Sequence, residues 1–171
     1  MPMPGIIQRT CQQIAYTIPW ANIPLTKSRK LDTSGWQNYK PEAGVVNFYQ
    51  YRDSLTAHVD QSEVDSVRPL ISISLGESCI FLAGGTTRNQ KPIPFLLNSG
   101  DVIIMAGDAR RVFHGVPRII EASCRAPFDW SQHANGRSVQ DFLKGTRLNI
   151  NVRQVFSEDT QNLQTGDGQS R

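Results

Sequence analysis

The sequence predicts a mainly β domain built from antiparallel sheets, with one short helix near its start. Two observations support this fold class. From Gly44 onward, short apolar runs are separated by turn residues, and the run RLNINVRQVF begins with a segment, RLNINVR, that alternates strictly between polar and apolar side chains. The 171 residues, of which 39% are hydrophobic, fit one compact domain with its own core.

The first 43 residues predict a helix followed by a loop. Ile6, Ile7, Cys11 and Ile14 recur near helical spacing, and Pro19 stops the pattern. The following stretch, residues 20–41, is rich in Ser, Thr, Asn, Pro and Lys, which is typical of a long loop or lid beside an active site.

The later segments predict consecutive antiparallel strands. In chain order they are GVVNFYQY, LTAHVD, PLISISLG, CIFLAGG, the two halves of PFLLNSGDVIIMAG, and RLNINVRQVF. A less regular insert, residues 121–146, is predicted to hold one helix at about 139–144. We therefore divide the chain into an N-terminal helix and lid-like loop at 1–43, a barrel at 44–156, and a polar tail at 157–171.

The last strand has two chemically different faces. Arg147, Asn149, Asn151 and Arg153 share one face, and the residues between them are apolar. Arginines that point into a barrel are costly unless they meet anionic groups. The alternative is an edge strand whose polar face lies in water.

Charge and cysteine content exclude some classes of protein. A net charge of +3 is compatible with a polyanionic partner and equally with an ordinary surface. The three cysteines show no C-x-x-C spacing, so neither a disulfide framework nor a zinc knuckle is expected. Without a long apolar run or a signal peptide pattern, we expect a soluble intracellular protein with no membrane partner.

An H-x-D motif followed by a distant histidine predicts a metal site. In a strand, His58 and Asp60 point to the same side, and His114 supplies the third group. Two histidines and one carboxylate form the facial triad of non-haem Fe(II) oxygenases, which leaves coordination positions open for a cosubstrate and O2. His133, in the irregular insert, is expected to be a surface residue.

Several segments in a fixed order resemble the AlkB-type Fe(II)/2-oxoglutarate dioxygenases, most closely the subgroup of the human AlkB homologue 1. They are NFYQYRDSLTAHVDQSE, PLISISLG, FLAGG, SGDVIIMAGDARRVFHGVPR, the Asp129–Trp130 pair and RLNINVRQV. The resemblance covers about residues 41–156 and is more specific than any one of its motifs.

The resemblance implies a double-stranded β-helix, or jelly-roll, barrel with flanking helices. It implies Fe(II) bound by His58, Asp60 and His114. It also implies 2-oxoglutarate bound by Asn47, Tyr49, Arg147, Asn149 and Arg153. The implied reaction uses O2 to demethylate N-methylated bases in DNA or tRNA, with release of formaldehyde, succinate and CO2.

On the substrate side the chain departs from the family. Family members have more chain before this region, so the lid is expected to be truncated. Trp20 and Trp36 could stack on an extruded base or pack as core. Where the bacterial family member has a base-reading acidic residue, this chain has Ser62 followed by Glu63, as in the homologue 1 subgroup, and Glu63 is a candidate substrate residue.

Two other functions are compatible with the sequence. The same iron site could hydroxylate or demethylate a protein such as a histone, since one fold hosts many substrates. A truncated, inactive barrel could serve only as a binding module. The sequence leaves open the choice between DNA and tRNA, the methyl mark, the compartment and the oligomeric state.

Overall fold

The computed structural model describes residues 2–22, 33, 36–60, 68–124 and 132–156. In these ranges the helices and strands are α1 Gly5–Thr17, β1 Ala43–Tyr49, β2 Leu55–His58, β3 Leu70–Gly76, β4 Cys79–Ala83, β5 Ile93–Leu97, β6 Val102–Met105, β7 His114–Ile119, α2 Gly136–Leu143 and β8 Arg147–Arg153. The predicted polar tail and most of the lid-like loop lie outside the described residues. No helix within these ranges is long and apolar enough to span a membrane.

The strands form two four-stranded sheets with the orders β1-β8-β3-β6 and β2-β7-β4-β5. Every strand pairing is antiparallel. The main core includes Leu70 and Met105 from the first sheet and Phe81, Leu97 and Val116 from the second. Because both sheets bury side chains in one shared core, the prediction of a mainly β jelly roll is confirmed.

The two faces of β8 separate polar from apolar side chains as predicted. Arg147, Asn149 and Arg153 are buried on the face toward the interior of the barrel. Val152 is fully buried on the opposite face, against α1. The alternative of an edge strand is wrong, because β8 lies between β1 and β3.

Helix α1 covers the outer face of the first sheet. Its Cys11 and Ala15 are fully buried and pack in one cluster with Ile71, Ile73 and Val152. The helix ends at Thr17, and Ile18 is already extended, as expected for the residue before a proline. The predicted helix is therefore confirmed, and α1 packs directly against the barrel.

Strand β7 was not recognised in the sequence. Its segment HGVPRI contains Pro117, which cannot donate a backbone hydrogen bond and argues against a strand inside a sheet. The pairing of β7 with β4 is irregular between Ile80 and Leu82, and such a bulge accommodates a proline. The helix of the insert spans Gly136–Leu143, three residues earlier than predicted at its start.

Candidate metal and cosubstrate site

The two histidines of the predicted metal site lie opposite each other on neighbouring strands. His58 ends β2, His114 begins β7, and the two residues are direct partners in the antiparallel register. Their ring centroids are 4.4 Å apart. The sheet therefore joins two side chains that are far apart in sequence.

Asp60 completes the group. Its Oδ1 lies 3.8 Å from His58 Nε2 and its Oδ2 lies 3.6 Å from His114 Nε2. One potential ligand atom from each of the three residues lies within 4.8 Å of the others. Two imidazoles and one carboxylate are a donor set that Fe(II) accepts, so the residues fit this metal.

Backbone carbonyls orient both imidazoles. His58 Nδ1 lies 3.0 Å from Thr56 O, and His114 Nδ1 lies 3.2 Å from Val112 O. Because a carbonyl oxygen only accepts, each Nδ1 carries the proton and each Nε2 lone pair is available to a metal. Burial lowers the pKa of His114, which favours the neutral ring that a metal requires.

A cavity of about 280 Å³ inside the barrel extends from this group. All the residues predicted to bind metal or cosubstrate line it: His58, Asp60, His114, Asn47, Tyr49, Arg147, Asn149 and Arg153. The structure thus brings together side chains from four strands and one loop. A cavity of this size suits a small dicarboxylate.

Arg147 is the most deeply buried charged side chain of the cavity, with 2% of its surface exposed. Its Nη2 donates to Ser74 Oγ at 3.0 Å, whereas its Nε and Nη1 have no partner among the described residues. Burial lowers the pKa of this guanidinium, since the charge is desolvated. A buried cation with unused donors fits the carboxylate of 2-oxoglutarate.

Two neutral side chains flank the guanidinium. Burial raises the pKa of Tyr49, so its hydroxyl stays protonated and can donate to a carboxylate. Asn149 donates from Nδ2 to Ser72 Oγ at 2.8 Å and to Ile73 O at 3.3 Å. Because both bonds are donated by Nδ2, they fix the orientation of the Asn149 side-chain amide, and Oδ1 is its acceptor atom.

Three residues of the site were not identified from the sequence. Ser72 lines the cavity, Ser74 bonds Arg147, and the Phe81 ring stacks near His114 with a centroid distance of 5.8 Å and an angle of 25°. The alternation of Ser with Ile in PLISISLG was a usable signal for the two serines, because it places both on one strand face. The sequence contains no comparable signal for Phe81.

The two predicted tryptophans lie away from this cavity. Trp20 and Trp36 are each 3% exposed, contact one another edge to face at 5.2 Å, and pack with Ala106. Trp20 Nε1 also donates to Ala15 O at 2.8 Å. Neither is among the described residues that line the cavity, and this burial favours packing as core. Glu63 lies outside the described residues.

A second, more apolar cavity of about 420 Å³ lies beside the metal group, outside the barrel interior. Thr56, Leu82, Phe113 and Pro117 contribute to its wall, and His114 borders both cavities. Arg88 lies 4.9 Å above the Phe113 ring and donates to Ala57 O at 3.0 Å. A cation held on an aromatic ring suits contact with a base or a phosphate.

Comparison with known proteins agrees with this geometry. The family model that describes the sequences of the 2OG-Fe(II) oxygenase superfamily matches residues 3–153 of this chain. The chain is 40% identical over 124 residues to the DNA N(6)-methyladenine demethylase ALKBH1A of Arabidopsis thaliana, covering 70% of this chain and 36% of that protein. It is 42% identical over 125 residues to the tRNA demethylase abh1 of Schizosaccharomyces pombe, covering 72% of this chain and 40% of that protein.

The fold comparison agrees with the architecture described above. A solved structure of OsALKBH1 superposes with a TM-score of 0.64 at 24% identity, covering 89% of this chain and 64% of that one. The resemblance stated from the sequence is confirmed. The chain spans only about two fifths of the length of the two curated relatives.

Proposed function

Because the chain belongs to the 2OG-Fe(II) oxygenase superfamily, we propose that it is an Fe(II)/2-oxoglutarate-dependent dioxygenase acting on N-methylated bases of DNA or tRNA. The products are the demethylated base, formaldehyde, succinate and CO2. The observation that carries the proposal is one cavity lined by a His–Asp–His group and by the buried, incompletely bonded Arg147.

His58, Asp60 and His114 would hold the iron through two Nε2 atoms and one carboxylate. Iron and 2-oxoglutarate, when bound, supply the O2-dependent oxidation of the methyl group. The carbonyls of Thr56 and Val112 keep both imidazoles in the ligating tautomer. Phe81 stacks near the His114 ring and would give the cavity an apolar wall beside this ligand.

Arg147 would bind the distal carboxylate of 2-oxoglutarate, with a hydrogen bond from the Tyr49 hydroxyl. Asn47 and Asn149, which face each other across β1 and β8, would add polar contacts along the chain of the cosubstrate. Arg153, at the other end of β8, adds a second buried cation that favours an anionic ligand. This orientation would direct the 2-oxo acid end toward the metal group.

The apolar cavity beside His114 is the place we propose for the nucleic acid. Its walls offer apolar surface to a base, and Arg88 offers a cation. A methylated base must leave its stack to reach a buried metal, and single strands make this step easier. The names of both curated relatives, one a DNA demethylase and one a tRNA demethylase, support a nucleic-acid substrate.

A turnover screen tests the proposal. Purified, iron-loaded protein is incubated with 2-oxoglutarate, O2 and one of three substrates: methylated DNA oligonucleotides, methylated tRNA or methylated histone peptides. We expect formaldehyde and succinate in equal amounts with methylated DNA or methylated tRNA. The nucleic acid that is turned over faster is then the preferred substrate. Turnover of peptides alone would assign a protein substrate. If the iron-loaded protein did not turn over 2-oxoglutarate, the barrel would be inactive and would serve only as a binding module.

A further inference from the structure

Ser74 is the one hydrogen-bond partner of the Arg147 guanidinium among the described residues. Its Oγ accepts from Arg147 Nη2 at 3.0 Å, and the two side chains are 0% and 2% exposed. No carboxylate within the described ranges forms an ion pair with this guanidinium. Because a guanidinium is planar, a bond at Nη2 fixes its plane and so the directions of its other N–H groups.

The backbone of Ser74 is held on both sides by the turn between β5 and β6. Its N–H donates to Asp101 O at 2.9 Å, and its carbonyl accepts from Gly100 N at 2.7 Å. Strand β3 also pairs with β8 along its whole length. The backbone of Ser74 is therefore held by the turn and by β8, which places its hydroxyl beside Arg147.

The same relation repeats two residues further along both strands. Ser74 is the direct register partner of Asn149 but bonds Arg147, and Ser72 is the partner of Asn151 but bonds Asn149. The side chains of Arg147 and Asn149 thus each contact a serine of β3 diagonally across the strand pair. This repetition shows that the serine face of β3 supports the polar face of β8.

We propose that Ser74 is a positioning residue for the cosubstrate carboxylate, acting by orienting the Arg147 guanidinium. The inference rests on the proposed function, since it assigns the carboxylate of 2-oxoglutarate to Arg147. Ser74 does not itself line the cavity, whereas Arg147 does. Ser74 therefore contributes to the binding of ligands that carry the distal carboxylate and not to the binding of ligands that lack it.

The test measures equilibrium binding of two ligands to Zn(II)-loaded protein without O2. One ligand is 2-oxoglutarate, and the other is oxalate, which can bind a metal but has no distal carboxylate. We expect Ser74→Ala to weaken 2-oxoglutarate binding about tenfold, the usual cost of one hydrogen bond to a charged group. Oxalate binding is expected to stay within about twofold.

Ser78→Ala is the matched control. Ser78 is 2% exposed and its Oγ donates to Asn98 Oδ1 at 3.0 Å, so the variant loses a bond of equal length away from Arg147. We expect this variant to bind both ligands as the wild type does. In turnover assays, Ser74→Ala should raise the KM for 2-oxoglutarate and leave kcat at saturation nearly unchanged.

Unchanged 2-oxoglutarate affinity in a folded Ser74→Ala variant would overturn the inference. An equal loss of affinity for 2-oxoglutarate and for oxalate would overturn it too. If Ser74→Ala does not fold, Ser74→Cys, which keeps an atom at the γ position but is a weaker acceptor, is expected to show the same selective loss of 2-oxoglutarate affinity. Failure of both variants to fold would assign Ser74 a purely structural role. A wild-type protein that binds oxalate but not 2-oxoglutarate contradicts the proposed function itself.

Discussion

His58 and His114 are register partners across β2 and β7, with their ring centroids 4.4 Å apart and both Nδ1 atoms bonded to backbone carbonyls. The strand pairing fixes their separation, and the carbonyls fix their tautomers. Asp60 then needs only to follow β2 by two residues to reach both Nε2 atoms. The backbone therefore sets the positions and the tautomers of the two imidazoles.

Replacing any one of His58, Asp60 or His114 with alanine is expected to abolish stable iron binding and turnover. A facial triad has no spare protein ligand, and the described residues offer no further carboxylate or imidazole in this group. Iron content of the purified variants measures the effect directly. His133→Ala, at an exposed position, is the control and should keep full iron content. Full metal and turnover in all three variants would contradict the assignment.

Arg147→Lys is expected to weaken 2-oxoglutarate binding by about ten- to a hundredfold. An ammonium is a point charge and cannot reproduce the planar, two-pronged contact of a guanidinium with a carboxylate. Isothermal titration of Zn(II)-loaded protein gives the affinity. Arg118→Lys, on an exposed position of β7, should bind as the wild type does. If Arg147→Lys retained wild-type affinity, Arg147 would not be the carboxylate-binding residue.

Trp36→Ala is expected to destabilise the protein by about 3–5 kcal/mol, the usual cost of removing a large buried aromatic ring. Trp36 is 3% exposed and lies against Trp20 and Ala106, away from the cavity. Urea denaturation measures the loss, and Trp36→Phe should lose less. A stable Trp36→Ala variant with weakened affinity for methylated oligonucleotides would instead support base stacking.

Glu77 should contribute stability that depends on pH. Burial raises the pKa of this carboxyl, but hydrogen bonds from Gly145 N and from Ser123 and Cys124 outweigh burial and hold the pKa below its ordinary value of 4.5. A carboxyl with a lowered pKa in the folded state stabilises the fold above about pH 4.5. This contribution disappears as the pH falls through the lowered pKa.

Glu77→Gln is therefore expected to lower the free energy of unfolding at neutral pH, where its amide group would face backbone N–H donors. The difference from the wild type should shrink below about pH 4.5. Urea denaturation at a series of pH values measures it. Asp141→Asn removes an exposed ion pair with Lys144 and should have little effect at any of these pH values. A difference that does not change with pH would assign the stability to packing alone.

The sequence alone determined the fold class and the chemistry of β8. Strict alternation in RLNINVR, residues 147–153, places the two arginines on one face, because side chains of a strand point alternately to opposite sides. The spacing of His58 and Asp60 likewise requires only an extended backbone. These are local properties, so one segment of sequence is enough to predict them.

Tertiary structure decided which distant residues meet. The pairing of β2 with β7 brings His114 to His58, although β7 contains Pro117 and was not predicted as a strand. The pairing of β3 with β8 brings Ser74 to Arg147, and packing outside the barrel buries Trp20 and Trp36 together. Such contacts depend on strand order and on the bulge in β7. No single segment encodes these contacts, because each joins residues that are distant in sequence and meet only when the strands pair and the outer segments pack.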